Sequence, residues 1–173
     1  MRLKAMAKIN LGLDVLGKRE DGYHEVRMIM QTIRMYDILD IRKTRRPGIV
    51  LTTNLPFIPT DQRNLVYKAA QMLMEEFDVE EGLSIKLRKF IPVAAGMAGG
   101  SSDAAAAFVG VNRMFHLGLT EEQLMERAVK VGADVPYCIM RGTALAEGIG
   151  EKLTRLPEVP KCYVLIGKPG INV

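Results

Sequence analysis

The chain has 173 residues, 48% of them hydrophobic and 25% charged, a composition that excludes global disorder. This length fits one domain, or one and a fragment of another, and it buries a core without disulfide or metal staples. Twenty-four Lys and Arg against twenty Asp and Glu leave a net charge of +4, which suits an anionic ligand. No run approaches the roughly 20 apolar residues of a membrane helix. Lys4 and Lys8 break any signal-peptide core. Cys138 and Cys162 make no metal or CxxC spacing, so a reducing cytoplasm is the expected compartment.

The first half of the chain reads mostly as strands. Leu3 to Lys8 and Leu11 to Gly17 are apolar, and the polar turn from Lys18 ends in Asp21-Gly22, a hairpin signal. Val26, Met28 and Met30 then alternate with Arg27, Ile29 and Gln31 at the period of a strand. Ile38 to Lys43 and Ile49 to Thr53 read as strands joined across Pro47-Gly48. The basic run Arg42-Lys43-Thr44-Arg45-Arg46 would then be a solvated hairpin tip. No aromatic residues interleave with these charges, so nucleic acid is not the expected partner. Leu65, Ala69, Met72, Leu73 and Phe77 share a helix face, Gly82 ends the helix, and Leu83 to Arg88 alternates as a strand.

A glycine-rich loop, Pro92-Val93-Ala94-Ala95-Gly96-Met97-Ala98-Gly99-Gly100-Ser101-Ser102, runs straight into an alanine-rich helix, which Ser101 or Ser102 would cap. Phe108, Val111 and Phe115 give that helix a buried stripe. A further helix begins at a Thr120/Gln123 capping box with Leu119 and Leu124 as its staple, and Gly132 terminates it. Asp134-Val135-Pro136 is extended or turning, because the residue before proline avoids the helical region. Tyr137 to Met140, Thr143 to Glu147 and Cys162 to Ile166 read as strands, and the sequence closes on Gly170-Ile171-Asn172-Val173.

A loop of this kind opening a helix is a phosphate cradle, since bare backbone and unpaired first-turn N–H groups approach an anion closely. It is not a Walker A loop, a protein-kinase loop or a dinucleotide fingerprint. Lys8, inside an apolar strand, is either a surface lysine or a fixed cation beside a transferring phosphate. Asp134 is either a turn aspartate or a carboxylate placed to take a proton from a hydroxyl. Tyr23 and His24 follow the hairpin turn, as surface rings or as a platform for a planar base. His24 and His116 are the only histidines, so a histidine-cluster metal site is excluded.

Together these segments resemble the GHMP kinases, the superfamily of galactokinase, homoserine kinase and mevalonate kinase. The Pro92–Ser102 loop carries the superfamily likeness. Ala7-Lys8-Ile9-Asn10-Leu11, Asp21-Gly22-Tyr23-His24 and Gly132-Ala133-Asp134-Val135-Pro136 resemble the member that phosphorylates a cytidine-diphosphate-linked methylerythritol on its 2-hydroxyl with ATP, on the non-mevalonate route to isoprenoid precursors. The resemblance implies an α+β fold, a mixed β-sheet with packed helices. It implies an ATP-binding and catalytic domain over residues 1–155 and the start of a truncated C-terminal domain over 156–173. Asp134 would be the general base and Lys8 would steady it and the phosphate charge. Asn10 would place the tetritol, and Tyr23 and His24 would hold the cytosine. Asn64 would lie near the adenine, the loop would wrap the ATP phosphates, and Ser101 and Ser102 would stand near Mg²⁺. Ala98 departs from the glycine usual in such loops. The alternatives left open are another small-molecule kinase of the superfamily, of homoserine or mevalonate type, and a non-catalytic RNA-binding domain of similar fold.

Overall fold

The computed structural model describes residues 1–20 and 22–167. Asp21, half of the hairpin signal, and the closing Gly170–Val173 lie outside them. Strands β1 (Arg2–Lys18) and β2 (His24–Thr44) form one long antiparallel hairpin. The two apolar stretches expected before the turn are thus a single strand. β3 (Ile49–Thr53), β4 (Gly82–Arg88), β5 (Thr143–Gly148) and β6 (Lys152–Arg155) complete a mixed sheet in the order β3-β4-β2-β5-β6, with β1 on β2. β1 lines β2 along one edge; the other edge is shared between β5, at Val26 to Gln31, and β4, at Ile38 to Thr44. The architecture is the expected α+β fold.

Helices α1 (Leu65–Glu76), α2 (Gly99–Phe115), α3 (Glu121–Ala128) and α4 (Val135–Met140) accompany the sheet. The core alternates as the period of two requires, with Leu39 and Ile41 of β2 and Leu83, Ile85 and Leu87 of β4 buried. α2 presses close because its packing face is small. A Cβ on Gly110 would lie 2.5 Å from Ile41 Cδ1 and 2.7 Å from Leu3 Cδ1. α1 buries Val66, Ala69, Ala70, Leu73 and Met74, a stripe turned by one residue from the expected one, and it ends at Glu76 rather than Gly82. The Thr120/Gln123 capping box is present.

Four expectations need correction. β3 does not pair with β2 across the Pro47-Gly48 turn. It pairs with β4 in parallel, and β4 lies between them. The basic turn therefore crosses the start of β4, where Gly82 leaves it room: a Cβ there would stand 1.8 Å from the Arg46 carbonyl oxygen. Tyr137 to Met140 is helical, not extended. Every residue of α4 is buried, so its apolar run carried no period, and Pro136 sits in the first turn, where a helix tolerates it. Cys162 to Ile166 forms no strand: Tyr163 and Leu165 are fully exposed, and the segment pairs with no strand among the described residues. The head of α2 is Ala98, left-handed and without a side-chain cap; Ser101 and Ser102 lie inside its first turn.

Candidate active site

Lys8 reaches the site through an irregularity in β1. The register of β1 on β2 shifts between Met6 and Lys8, where Ile33, Arg34 and Met35 of β2 stand opposite Ala7 alone. Regular alternation from Ala5 and Ala7, both buried, would turn Lys8 toward the opposite face. The shift brings Ala7 and Lys8 inward in succession. It also frees the backbone N–H of Lys8, which donates to the Met97 carbonyl of the glycine-rich loop at 3.2 Å.

Asp134 arrives from the other direction, as the residue that opens α4. It makes no side-chain cap to that helix. Its Oδ2 lies 3.5 Å from Lys8 Nζ, and the ammonium donates to Asn10 Oδ1 at 3.1 Å. Lys8 is buried while Asp134 keeps about a third of its side chain in solvent, 30%. The fold therefore gathers Lys8, Asn10 and Asp134 at one point and ties the loop to it.

The loop has the backbone of an anion cradle. Ala94, Gly96 and Ala98 are left-handed, with φ of 52°, 69° and 52°, alternating with residues that are not. Such alternation turns successive N–H groups toward one concave side. Gly99, Gly100 and Ser101 follow at the head of α2, where no carbonyl lies one turn back within the helix. The cleft beside the loop has a volume of about 350 Å³ and is lined by Pro92 to Gly100 together with Asn64, Lys89 and Asp103. Asn64 caps α1 at its rim, accepting from Val66 N–H at 2.9 Å and donating to the Pro59 carbonyl at 2.7 Å. Ser101 and Ser102 do not line the cleft, and Ser102 Oγ donates to the Gly99 carbonyl at 3.0 Å.

Tyr23 and His24 stand apart from this cluster. His24 pairs with Lys18 at the tip of the hairpin and Asn10 pairs with Met30, so roughly 20 Å of strand separates them. Tyr23 is 59% exposed.

Sequence reasoning missed a buried triad under the loop. Lys89 Nζ bonds Asp37 Oδ2 and, at 2.6 Å, Asp103 Oδ2; Asp37 Oδ1 accepts from the N–H groups of Phe90 and Ile91. Asp37, Asp103 and Lys89 are 0%, 2% and 7% exposed. Asp103 Oδ1 has no hydrogen-bond partner, and burial pushes the Asp103 carboxyl up to about 8, against the pull of Lys89 and with the help of Asp37. The signal was in the sequence: Asp37 shares the inward register of Leu39 and Ile41, an acid in a core position. The triad fixes the end of β4, and with it the start of the loop, to β2 and α2. A Cβ on Gly99 would stand 3.2 Å from Lys89 Nζ.

The chain is similar to proteins already known. Residues 64–142 match the family model of the GHMP kinases N terminal domain. The chain is 57% identical over its whole length to a 4-diphosphocytidyl-2-C-methyl-D-erythritol kinase of Lachnospira eligens and 55% identical to one of Caldicellulosiruptor bescii. It spans about 60% of the length of these curated relatives. A crystal structure of 4-(cytidine 5'-diphospho)-2C-methyl-D-erythritol kinase superposes with a TM-score of 0.77 at 35% identity, over 90% of this chain and 55% of that one. The mevalonate kinase of Methanococcus jannaschii shares the fold alone, with a TM-score of 0.69 at 15% identity over 91% of this chain and 56% of that one. Residues 64–142 therefore match the N-terminal domain of the GHMP kinases.

Proposed function

We propose that the chain binds ATP and 4-diphosphocytidyl-2-C-methyl-D-erythritol and supplies the catalytic groups for phosphorylating the 2-hydroxyl of that alcohol. The observation that carries this reading is the Lys8–Asp134 pair at 3.5 Å, joined to the loop by the Lys8–Met97 bond. Asp134 accepts the proton as the hydroxyl oxygen attacks the γ-phosphorus. The bond from that phosphorus to the β–γ bridging oxygen breaks, and ADP leaves. Lys8 keeps a positive charge beside the transferring group, and the loop amides hold the phosphates in line. Asn10 orients the tetritol. Tyr23 and His24 hold the cytosine at the far end of the hairpin, a separation that suits an elongated substrate with a base at one end. Asn64 meets the adenine at the cleft rim.

Mg²⁺, when bound with ATP, neutralises phosphate charge. Among the described residues no group of three or more His, Cys, Asp or Glu stands ready to hold a metal. Phosphate oxygens and water would therefore be its main ligands. Ser101, half-buried in the first turn of α2 though outside the cleft lining, is the serine left to approach such an ion; Ser102, buried with its hydroxyl on the Gly99 carbonyl, is not. Residues 156–173 open a second domain in this reading. The two free thiols suit a reducing cytoplasm.

Separate calorimetric titrations of the chain with ATP and with the cytidylated alcohol test the proposal. Saturable binding of both is expected. Binding of neither, or of mevalonate or homoserine in place of the cytidylated alcohol, overturns it.

A further inference from the structure

The sheet has a second face, turned away from the helices. Along β2 and β4 the buried Leu39, Ile41, Leu83, Ile85 and Leu87 alternate with outward residues, among them Asp40, Arg42, Lys86 and Arg88. Asp40 stands opposite Arg2 on one side and Lys86 on the other, and Thr52 of β3 continues the row beyond Lys86. Arg42, opposite Ser84, and Arg88 flank that row. Together these side chains line a hollow of about 410 Å³. It is separate from the glycine-rich cleft: Arg88 lines the hollow, while its neighbour Lys89 lines the cleft.

Charge in the hollow is unbalanced. Arg2, Arg42, Lys86 and Arg88 share it with one acid, Asp40. The oxygens of that acid are already taken. Arg2 Nε donates to Oδ1 at 2.7 Å, and Arg88 Nη2 donates to Oδ2 at 3.0 Å. Among the described residues neither Arg42 nor Lys86 has an acid partner. Arg88 Nε is buried without an acceptor. Like charges on neighbouring same-face positions of a sheet repel one another. An anion seated among them turns that repulsion into attraction.

We propose that this hollow is a second anion site, separate from the glycine-rich cleft, and that it takes the diphosphate group of a small molecule. The excess of cations suits a group with several negative charges rather than a single carboxylate. Guanidinium forks match pairs of phosphate oxygens, and the Lys86 ammonium adds a point charge. The hydroxyls of Ser84 and Thr52 supply neutral donors at the rim. No aromatic side chain is among the lining residues described, so a base gains no stacking there and recognition is confined to the charged group. Free pyrophosphate and an alkyl diphosphate present the same group. The site does not depend on the reading of Lys8 and Asp134.

The test is isothermal calorimetry on a protein of the relatives' full length, with one equivalent of ATP present to occupy the glycine-rich cleft. Inorganic pyrophosphate and methyl diphosphate are titrated separately, with succinate as a dianion that lacks phosphorus. Saturable binding of a diphosphate is expected. Binding of pyrophosphate alone identifies the free anion as the ligand, binding of methyl diphosphate alone an ester, and binding of both the shared group. Arg42→Ala and Lys86→Ala should each weaken that binding by about tenfold, the usual worth of a hydrogen bond to a charged group, and leave ATP affinity within about twofold. Both side chains are exposed and unpaired, so their truncation leaves the fold intact. Binding of neither diphosphate, as when the rest of the full-length protein covers the hollow, overturns the site. Equal affinity for succinate, or a diphosphate affinity that both substitutions leave unchanged, overturns it too. A parallel loss of ATP affinity overturns its separation from the cleft.

Discussion

Lys8 donates its backbone N–H to the carbonyl of Met97, so the strand that presents the cation and the loop that would hold the phosphates are hydrogen-bonded to each other. The Lys8 side chain then turns to Asp134. One residue thus joins the cradle to the carboxylate, its backbone holding the loop and its side chain facing the acid. Phosphoryl transfer gains from such fixed placement, since positioning and charge stabilisation are most of what the protein contributes.

Asp134→Asn removes the proposed proton acceptor and keeps the shape. Turnover should fall by about 10²–10⁴, the usual worth of a general base. ATP affinity should stay within about twofold, because Asp134 does not line the nucleotide cleft. Single-turnover kinetics with parallel nucleotide titration checks both numbers.

Asp103 makes stability depend on pH. Its carboxyl is raised by burial from an ordinary value near 3.8 to about 8 in the folded chain. Between those values the folded state holds a proton that the unfolded state has lost. The contribution is therefore complete below about pH 4 and is lost as pH rises through about 8, at up to about 1.4 kcal/mol per pH unit. Urea unfolding across pH 5 to 9 should show this slope in the wild type and a flatter profile in Asp103→Asn.

Ala98 is left-handed at φ 52°, a conformation that costs an L-residue roughly 1–2 kcal/mol and glycine almost nothing. Glycine also adds freedom to the unfolded chain, which takes back part of the gain. Ala98→Gly should stabilise the fold by about 0.5–1 kcal/mol with ATP affinity unchanged. Denaturant midpoints at constant m-value measure it.

Tyr23→Ala should weaken binding of the cytidylated alcohol by about tenfold and leave ATP binding unaltered, as loss of one stacked base at the hairpin tip would. Matched titrations with the two ligands decide. Equal losses would place the effect in the fold.

Much of this site was legible because its chemistry is local in the sequence. The loop and the capping box each announce themselves within a dozen residues; the structure runs the loop into α2, without the expected serine cap, and shows the capping box. What escaped was relational. The inward turn of Lys8 depends on a register shift whose extra residues lie in β2, and no alternation within β1 reveals it. β4 inserts between β2 and β3 although both precede it, so neighbours in sequence were mistaken for neighbours in the sheet. α4 is buried on all sides, and a six-residue apolar run has no face to read. Lys89 and Asp37 became a pair only when β4 met β2.

β2 has one edge divided between two partners, and this governs how the molecule can be made. Its early half waits for β5, and the side-chain bond between Gln31 and Thr143 spans 112 residues. A chain emerging from the ribosome would carry Lys8 and the glycine-rich loop long before Asp134 and β5 appear. Such distant pairing slows folding. The early half of that edge, Val26 to Gln31, therefore stays open in the nascent chain until Thr143 to Gly148 emerge to close it.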